Sequence, residues 1–342
     1  MIKDKLFLYM TWLWTCAALS GCDSEARKLK EAKALAESPQ TQERVKALVR
    51  KSTGDLVFVE GGGFWLGDFG PLMNDKAKAN DIPPGPDAKP GDNLPFTIDE
   101  DNKPAKWVLL DGYSMQKYKV TYDDFDVYVA ANALPAHPPE GDETMQRVWR
   151  KSRTSGDVPA GVTWHQAKSY CQWLAKVSGF PFDLPTEAQW EYAASARTNS
   201  YRHPYPTRTG LLIKNVTHPS FEKKKELIGS GDLYPIGRFE PSQLGFFDLI
   251  GNGYDWVNDW YSPDAYAAGA TKNPSGPKDG VDKVIRGWPP EESLTSGFPH
   301  LSRRHAPPQG KNNPEGGTYA PTDISFRCVV NHSHPIKYFE KK

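Results

Sequence analysis

The chain has 342 residues with 42 basic and 42 acidic side chains, so its formal charge is balanced. It has no dense basic patch with interleaved aromatic residues, which argues against nucleic-acid binding. Thirty prolines, 29 glycines and 11 tryptophans favour a loop-rich globular protein with large aromatic anchors, and about 320 residues after a leader are enough for one or two domains.

The first 21 residues have the organisation of a secretory signal peptide. Two lysines precede an apolar stretch that is too short to span a bilayer comfortably. The ending Leu-Ser-Gly-Cys at 19–22 resembles a bacterial lipobox, in which Cys22 is lipidated and becomes the mature N-terminus. The alternative is an ordinary signal peptide with a chance cysteine. We expect a periplasmic protein held on a membrane by lipid, and Asp23 favours the inner membrane, as in enterobacterial lipoproteins.

Polar segments divide the rest of the chain. Residues 22–53 are helix-prone with a break at a Ser-Pro pair, and they predict a lipidated tether or a surface helix pair rather than a domain. One domain is expected to span residues 54–342. Within it, the segments 71–106 and 134–159 lack periodicity and are predicted to be insertions, which in compact domains are usually functional or disordered.

Three helices have clear boundary signals. One is predicted to start near Thr121, and another has Thr163 as N-cap, apolar residues at helical spacing, and Gly179 at its end. In the third, Thr186 and Gln189 have the spacing of a capping box. The residues of this third helix that we expect to face the core are Trp190, Ala193 and Ala194.

Four cysteines limit the redox chemistry of the chain. Cys16 leaves with the leader and Cys22 is used by the lipid, so Cys171 and Cys328 remain. An even pair in an oxidising compartment predicts a disulfide; the alternative is two free thiols that do chemistry. A disulfide closing so long a loop would stabilise the fold by roughly 4–5 kcal/mol in the chain-entropy model.

Seven stretches, in order from Leu56 to Val330, resemble the formylglycine-generating-enzyme family, also called the sulfatase-modifying-factor domain. They are LVFVEGGGFWLGD, YKVTYDDFDVYV, AGVTWHQAKSYCQWLAKVSG, LPTEAQWEYAA, PIGRFEPSQLGFFDLIGNGYDWVNDWY, VIRGW and SFRCVV. The resemblance implies an α+β domain, the family's variant of the C-type-lectin-like fold, which is loop-rich with little regular secondary structure. It also places a structural disulfide at Cys171 and Cys328.

The resemblance implies a structural calcium ion in GFFDLIGNGYDWVNDW, residues 245–260. Its ligands would be Asp248, the backbone carbonyls of Gly251 and Gly253, and Asp255, and calcium does accept carbonyl and carboxylate oxygens. The family usually has glutamate where Asp255 stands, and a plain turn braced by aromatic residues is the alternative. The residues implied for a second cation site are Asn215, Val216 and Asp232.

Catalysis in the active members of the family depends on two cysteines that follow a VIRGG-like strand, bind copper and oxidise a substrate cysteine. The corresponding segment here, RGWPPEESLTSGFPHLSRRHAPPQG, contains no cysteine, and no serine or proline replaces a thiolate as soft-metal ligand. Trp288 and two prolines would fill the substrate groove. Glu187 and Glu191, one helical turn apart, belong to a structural motif of the family and are interpreted as scaffold. We therefore expect a pseudoenzyme without catalytic residues.

Histidines offer an alternative chemistry, because other branches of the superfamily are iron-dependent oxidases. His332 and His334 would share one strand face, and His300 and His305 lie in the segment without cysteines. Two or three histidines can bind iron or zinc, although scattered histidines are more often surface residues.

Three functions are compatible with these features, and partner binding is favoured. Similar catalytically dead members act beside bacterial secretion systems, type VI in particular, as immunity proteins against a secreted toxin or as regulatory scaffolds, and anchoring raises the local concentration of such a protein. The competing functions are a metal-dependent oxidase and a module for glycan attachment. The predicted contact residues, apolar anchors of the kind that dominates interfaces, are Leu72, Met73, Phe96, Met145, Trp149 and Trp288.

Overall fold

Short strands and helices alternate with long ordered connections, which confirms the prediction of a loop-rich α+β domain. The computed structural model describes residues 27–68, 97–135, 147, 150–151, 153, 155–197, 205–228, 233–287, 300–312, 318–319 and 321–336. Within these ranges, no helix is long and apolar enough to cross a bilayer.

Strands far apart in sequence pair in two four-stranded sheets, so the fold depends on long-range contacts. In the first sheet all neighbouring strands are antiparallel, and in the second sheet one pair, Ile324–Ser325 with Tyr254–Trp260, is parallel. The first sheet has the order β1 (Leu56–Val59), β4 (Tyr113–Gln116), β12 (Val329–Val330), β5 (Phe182–Asp183). The second has the order β11 (Ile324–Ser325), β6 (Tyr254–Trp260), β7 (Lys283–Arg286), β8 (Arg304–Ala306). The two-stranded sheets are β2 (Gly62–Leu66) with β3 (Lys106–Leu110), and β9 (Lys311–Asn312) with β10 (Thr318–Tyr319).

The predicted helix boundaries are confirmed. Thr121, Thr163 and Thr186 are N-caps, and each accepts a hydrogen bond from the third residue of its helix in a complete capping box. Gly179 ends its helix with a φ of 76°, a conformation that favours glycine. The helices are α1 (Pro39–Gly54), α2 (Tyr122–Ala131), α3 (Trp164–Ser178), α4 (Glu187–Ala194), α5 (Phe221–Ile228) and α6 (Ala265–Ala268), and residues 27–36 are also helical.

Helix α1 belongs to the folded domain, which corrects the prediction of a tether through residue 53. Val45, Leu48 and Val49 are buried in the same cluster as residues of α2 and α3. Their spacing puts them on one helical face. This face is narrow, but it packs into the core although the rest of the helix is polar. The helix pair with its break at Ser-Pro is present, but its second member is structural.

Both predicted insertions end before their predicted limits. In the segment 71–106, Thr97 and Asn102 are buried, and the Asn102 side chain donates to a backbone carbonyl of the 300–312 segment at 3.1 Å. In the segment 134–159, Val158 is fully buried and its carbonyl accepts a hydrogen bond from the first residue of α2 at 3.1 Å. The composition of these segments does not indicate that these residues are buried, because the residues they pack against are distant in sequence.

The disulfide prediction is confirmed. Cys171 on α3 and Cys328, next to β12, form a bond between fully buried sulfur atoms, with a Cα–Cα distance of 5.8 Å. It joins a helix to the central part of the first sheet. The residues of α4 predicted to face the core are also buried: Trp190, Ala193 and Ala194.

Candidate functional site

Asp255 lies at the centre of the 245–260 stretch, and three protein donors bind its carboxylate. Oδ1 accepts a hydrogen bond from the Lys119 ammonium at 2.9 Å, and Oδ2 accepts from Trp190 Nε1 at 2.9 Å and Arg327 Nε at 3.0 Å. Burial alone raises the pKa of Asp255, but Arg327 and Lys119 outweigh burial and hold that pKa below its usual value. Asp255 is therefore an ionised, fully paired carboxylate in the core.

Four separate parts of the fold bring these groups together. Asp255 is on β6, Trp190 is on α4, Lys119 lies just before α2, and Arg327 lies between β11 and β12. Arg327 also donates to the carbonyl oxygen of Phe247 at 2.9 Å. The cluster thus connects the second sheet to α4, to the segment before α2 and to the turn that precedes β6.

Lys119 is the cation nearest to the predicted calcium ligands. Its Nζ donates to the carbonyl oxygens of Gly253 and Tyr254, both at 3.2 Å, as well as to Asp255. Burial lowers the pKa of Lys119, and the charge of Asp255 opposes that shift. Two of the four groups expected to bind calcium, the Gly253 carbonyl and Asp255, are therefore bonded to an ammonium.

The other predicted carboxylate, Asp248, has different partners. Its Oδ2 accepts from the Gly237 amide at 2.9 Å, and its Oδ1 accepts from Asn252 Nδ2 at 3.4 Å. The Asn252 side chain also exchanges two hydrogen bonds of 2.9 Å with the backbone of Tyr234. Residues 251–253 all have positive φ values, between 54° and 83°, so the turn is a tight left-handed one that two glycines make accessible.

These groups do not fit a calcium ion bound by the predicted set. Calcium needs about six to eight oxygen atoms directed at one point, but Asp248 and Asp255 accept from different donors and the Gly253 carbonyl faces an ammonium. Lys119 and Arg327 would also repel a divalent cation. The calcium ion stays a prediction, and we assign no chemistry to it.

The second implied cation site is only partly described. Asn215 Oδ1 accepts from the Ser220 amide at 2.8 Å, and the Val216 carbonyl accepts from the Glu240 amide at 2.9 Å. Asp232 lies outside the described residues. This site therefore also stays a prediction.

Glu187 and Glu191 belong to a buried ion-pair network. Arg286 donates to Glu187 at 2.7 Å and to Glu191 at 2.6 Å, and Arg303 donates to both oxygens of Glu187 at 2.8 and 3.1 Å. Glu191 also accepts from the Gly67 amide at 2.7 Å. Burial raises the pKa of Glu187, but the two arginines outweigh it and leave that pKa below its usual value. These contacts support the interpretation of both glutamates as scaffold.

The same network holds both ends of the segment that carries the cysteines in active members of the family. Arg286 ends β7 and Arg303 precedes β8, and both bind Glu187. The residues between them, 288–299, lie outside the described part of the chain. Ion pairs with Glu187 of α4 therefore hold both ends of this segment.

The structure does not bring the four candidate histidines together. Burial, assisted by a neighbouring guanidinium, lowers the pKa of His300 to about 3, and His305 Nδ1 lies 2.6 Å from Asp282 Oδ2. His332 and His334 are exposed beyond the end of β12, so the expectation of a shared strand face is wrong. Among the described residues, no group of three His, Cys, Asp or Glu side chains could hold a metal ion.

One of these histidines, His332, contributes to a groove of about 520 Å³. Within the groove, Asp111 and Asn273 bind each other, since the Asn273 amide donates to the carboxylate at 2.7 Å. The lining combines apolar surface with amide, hydroxyl, carboxylate and imidazole groups, so it offers a bound molecule orientation by hydrogen bonds. The lining residues are Leu110, Asp111, Gly112, Thr186, Gln189, Asn273, Asn331, His332 and Ser333.

The predicted lipidation site and partner contacts lie outside the described residues, and they stay predictions. This applies to Cys22 and to the apolar residues of both insertions. The contact residues concerned are Leu72, Met73, Phe96, Met145, Trp149 and Trp288.

Sequence reasoning missed the basic residues of both buried clusters. Lys119 and Arg327 each interrupt an apolar run, in YKVT and SFRCVV. A charged residue inside such a run requires a buried counter-charge if the run is in the core, and that requirement is a usable signal. This signal does not indicate which carboxylate Lys119 or Arg327 binds.

Comparison with known proteins agrees with this architecture. Formylglycine-generating enzyme from Bos taurus is 22% identical over 282 residues, which cover 71% of this chain and 72% of that protein. Serine/threonine-protein kinase pkn1 from Chlamydia pneumoniae is 29% identical over 247 residues, which cover 68% of this chain but 35% of that protein. The chain therefore spans about a third of the kinase's length.

Solved structures show the same fold. PvdO from Pseudomonas aeruginosa superposes with a TM-score of 0.54 at 21% identity, covering 80% of this chain and 93% of that one. The family described as the sulfatase-modifying factor enzyme 1-like domain matches residues 41–332. This match includes most of α1, both four-stranded sheets and both buried ion clusters. The chain therefore belongs to the sulfatase-modifying factor enzyme 1-like family.

Proposed function

We propose that this chain is a non-catalytic member of its family that binds a partner protein. The observation that carries the proposal is the use of its cysteines. The domain contains two, Cys171 and Cys328, and both are fully buried in one disulfide. Copper-dependent oxidation by the route of the active members requires a thiolate ligand, and the domain has none to offer.

The first test is direct assay of the family reaction. The protein would be incubated with copper(I), oxygen and a cysteine-containing sulfatase peptide, and the peptide analysed by mass spectrometry for conversion of cysteine to formylglycine. We expect no conversion under conditions in which an active family member converts the peptide fully. Conversion above the level without protein would contradict the proposal.

The partner we propose is a secreted antibacterial toxin, which the chain would neutralise in the periplasm as an immunity protein of a type VI secretion system. The leader, with its lipobox-like ending at Cys22, supports a membrane-anchored periplasmic protein. The disulfide supports the same compartment, because disulfides persist where the environment is oxidising. A rigid scaffold with two long polar insertions supplies surface for contacts without an active site.

The partner proposal is tested by capture. Tagged residues 23–342 would be used as bait for envelope and secreted fractions, and stoichiometric partners would be identified by mass spectrometry. We expect one secreted enzyme whose toxicity falls when this chain is co-expressed. Capture of secretion-machinery components without neutralisation would indicate a regulatory scaffold instead. Empty beads from both fractions would contradict partner binding.

A further inference from the structure

We propose that the ammonium group of Lys119 takes the place of the calcium ion that the family resemblance implies in the 248–255 turn, so that this turn is held without a metal. The inference goes beyond the proposed binding function and does not depend on it.

The coordination of Lys119 carries the proposal. Its Nζ is 2.9 Å from Asp255 Oδ1 and 3.2 Å from the carbonyl oxygens of both Gly253 and Tyr254. An ammonium has three N–H donors, so these three oxygens saturate it. The Lys119 side chain is 0% exposed, and the ammonium therefore fills a closed site between the turn and β6.

Charge balance leads to the same conclusion. The buried cations Lys119 and Arg327 both pair with the buried carboxylate of Asp255, at 2.9 and 3.0 Å, and Arg327 also donates to the backbone carbonyl of Asp248 at 3.4 Å. Two positive charges thus already lie among the predicted calcium ligands. A divalent ion added among them would leave two positive charges without a counter-charge in this set, and unpaired buried charge is strongly unfavourable.

The backbone around Lys119 fixes the direction from which the ammonium enters. The amide of Lys117 donates to the Asp55 carbonyl at 2.9 Å, and the amide of Val120 donates to the Phe326 carbonyl at 2.9 Å. Hydrogen bonds on both sides of Lys119 therefore hold this strand end against the first sheet. Withdrawal of the side chain would leave Asp255 and two carbonyl oxygens short of a donor in the core.

The first measurement is the melting temperature of the full domain in calcium chloride and in EGTA. A calcium ion present at a hundredfold excess over its dissociation constant would raise the melting temperature of a domain of this size by roughly 5–10 °C. We expect the two melting temperatures to agree within about 1 °C, because a site filled by an ammonium gains nothing from added calcium.

The second measurement compares Lys119→Met with Lys117→Met. Lys117 is a suitable control because it pairs with Asp55 at 3.0 Å near the surface, with 31% of its side chain exposed. We expect Lys119→Met to lower the melting temperature by roughly 6–15 °C, since it leaves a buried carboxylate without one of its cations. Lys117→Met should change it by less than about 2 °C.

Two results would overturn the proposal. One is a calcium-dependent rise in melting temperature that disappears in Asp248→Ala, which removes the side-chain oxygen atoms of Asp248 and keeps all three contacts of Lys119. The other is equal stability of Lys119→Met and Lys117→Met. A calcium response that persists in Asp248→Ala would belong to another site and would leave this turn metal-free, as proposed. If Lys119→Met does not fold, the comparison of wild type with Asp248→Ala still decides.

Discussion

At the scale of single residues, two buried glutamates of α4 share one guanidinium, that of Arg286. Arg286 bonds Glu187 at 2.7 Å and Glu191 at 2.6 Å, and all three side chains are at most 4% exposed. Replacing Arg286 by methionine would leave buried carboxylates without their shared cation. Removing one partner of a buried pair typically costs about 3–5 kcal/mol, and we expect Arg286→Met to lose about that much unfolding free energy in urea denaturation.

The control for this prediction is an ion pair of similar length at the surface. Lys223 lies 3.0 Å from Glu226, with 42% and 68% of the side chains exposed. Exposed pairs contribute little because water and salt screen them, so Lys223→Met should change stability by less than about 0.5 kcal/mol. Losses of equal size in the two variants would show that burial of the Arg286 network has no energetic consequence.

Asp259 makes the stability of the protein depend on pH. Burial and the nearby charge of Glu187 raise the pKa of Asp259 to about 7. An unfolded aspartate ionises near pH 4, so between about pH 4 and pH 7 the folded state binds more protons than the unfolded state. The contribution of Asp259 to stability is therefore present at low pH and is lost as the pH rises through this range.

The variant Asp259→Asn tests whether Asp259 makes stability fall as the pH rises. The asparagine oxygen can still accept the 2.8 Å hydrogen bond from the Glu187 amide, but it has no charge to bury. We expect the difference in unfolding free energy between pH 5 and pH 8 to shrink by about 2–3 kcal/mol relative to wild type, measured by urea denaturation at both pH values. An identical pH dependence in the two proteins would contradict the assignment.

At the scale of elements, α1 stabilises the domain through one face. Leu48 is 4% exposed and packs in the core, whereas Leu35, in the preceding helix, is 54% exposed. We expect Leu48→Ala to cost about 2–5 kcal/mol, because it leaves a cavity, and Leu35→Ala to cost less than about 0.5 kcal/mol. Thermal and urea unfolding measure both. A small effect of Leu48→Ala would restore the interpretation of this helix as a tether.

The helices also show which local signals suffice. Thr121, Thr163 and Thr186 mark their helices correctly because a capping box satisfies backbone amides within four residues of sequence. The sequence of α1 predicts a helix but not its place in the domain, since its apolar residues become core only against α2 and α3. Local chemistry thus predicts where a helix begins, and tertiary contacts decide what the helix does.

At the scale of the whole molecule, family resemblance predicted the fold and the disulfide, but not the partners of the buried charges. Asp255 stands in a motif for which the resemblance implies a calcium ligand, and nothing local to it indicates that Lys119 and Arg327 converge on its two oxygens. These three residues span more than 200 positions of the chain. This convergence arises only in the completed fold, so composition and periodicity do not predict it.

Hydrogen bonds join the chain on the two sides of the first insertion. The Thr97 amide donates to Asp68 Oδ2 at 2.7 Å, and the Asp68 amide donates to the Asn102 carbonyl at 2.9 Å. The two chain ends that flank the insertion are therefore adjacent, and a short Gly-Ser linker can join them. Residues 97–106 have to stay, because they include buried side chains and the start of β3.

Replacing residues 71–94 by such a linker should separate binding from folding. We expect the shortened chain to keep the wild-type melting temperature within about 2 °C, because the length of a connecting segment has little effect on stability, and to lose its protein partner in the capture experiment. Deleting the whole of 71–106 is the matched control: it should lower the melting temperature sharply, since it removes Asn102 from the core. Undiminished capture by the 71–94 deletion would place the partner surface elsewhere on the domain, and the groove around His332 would become the next surface to test.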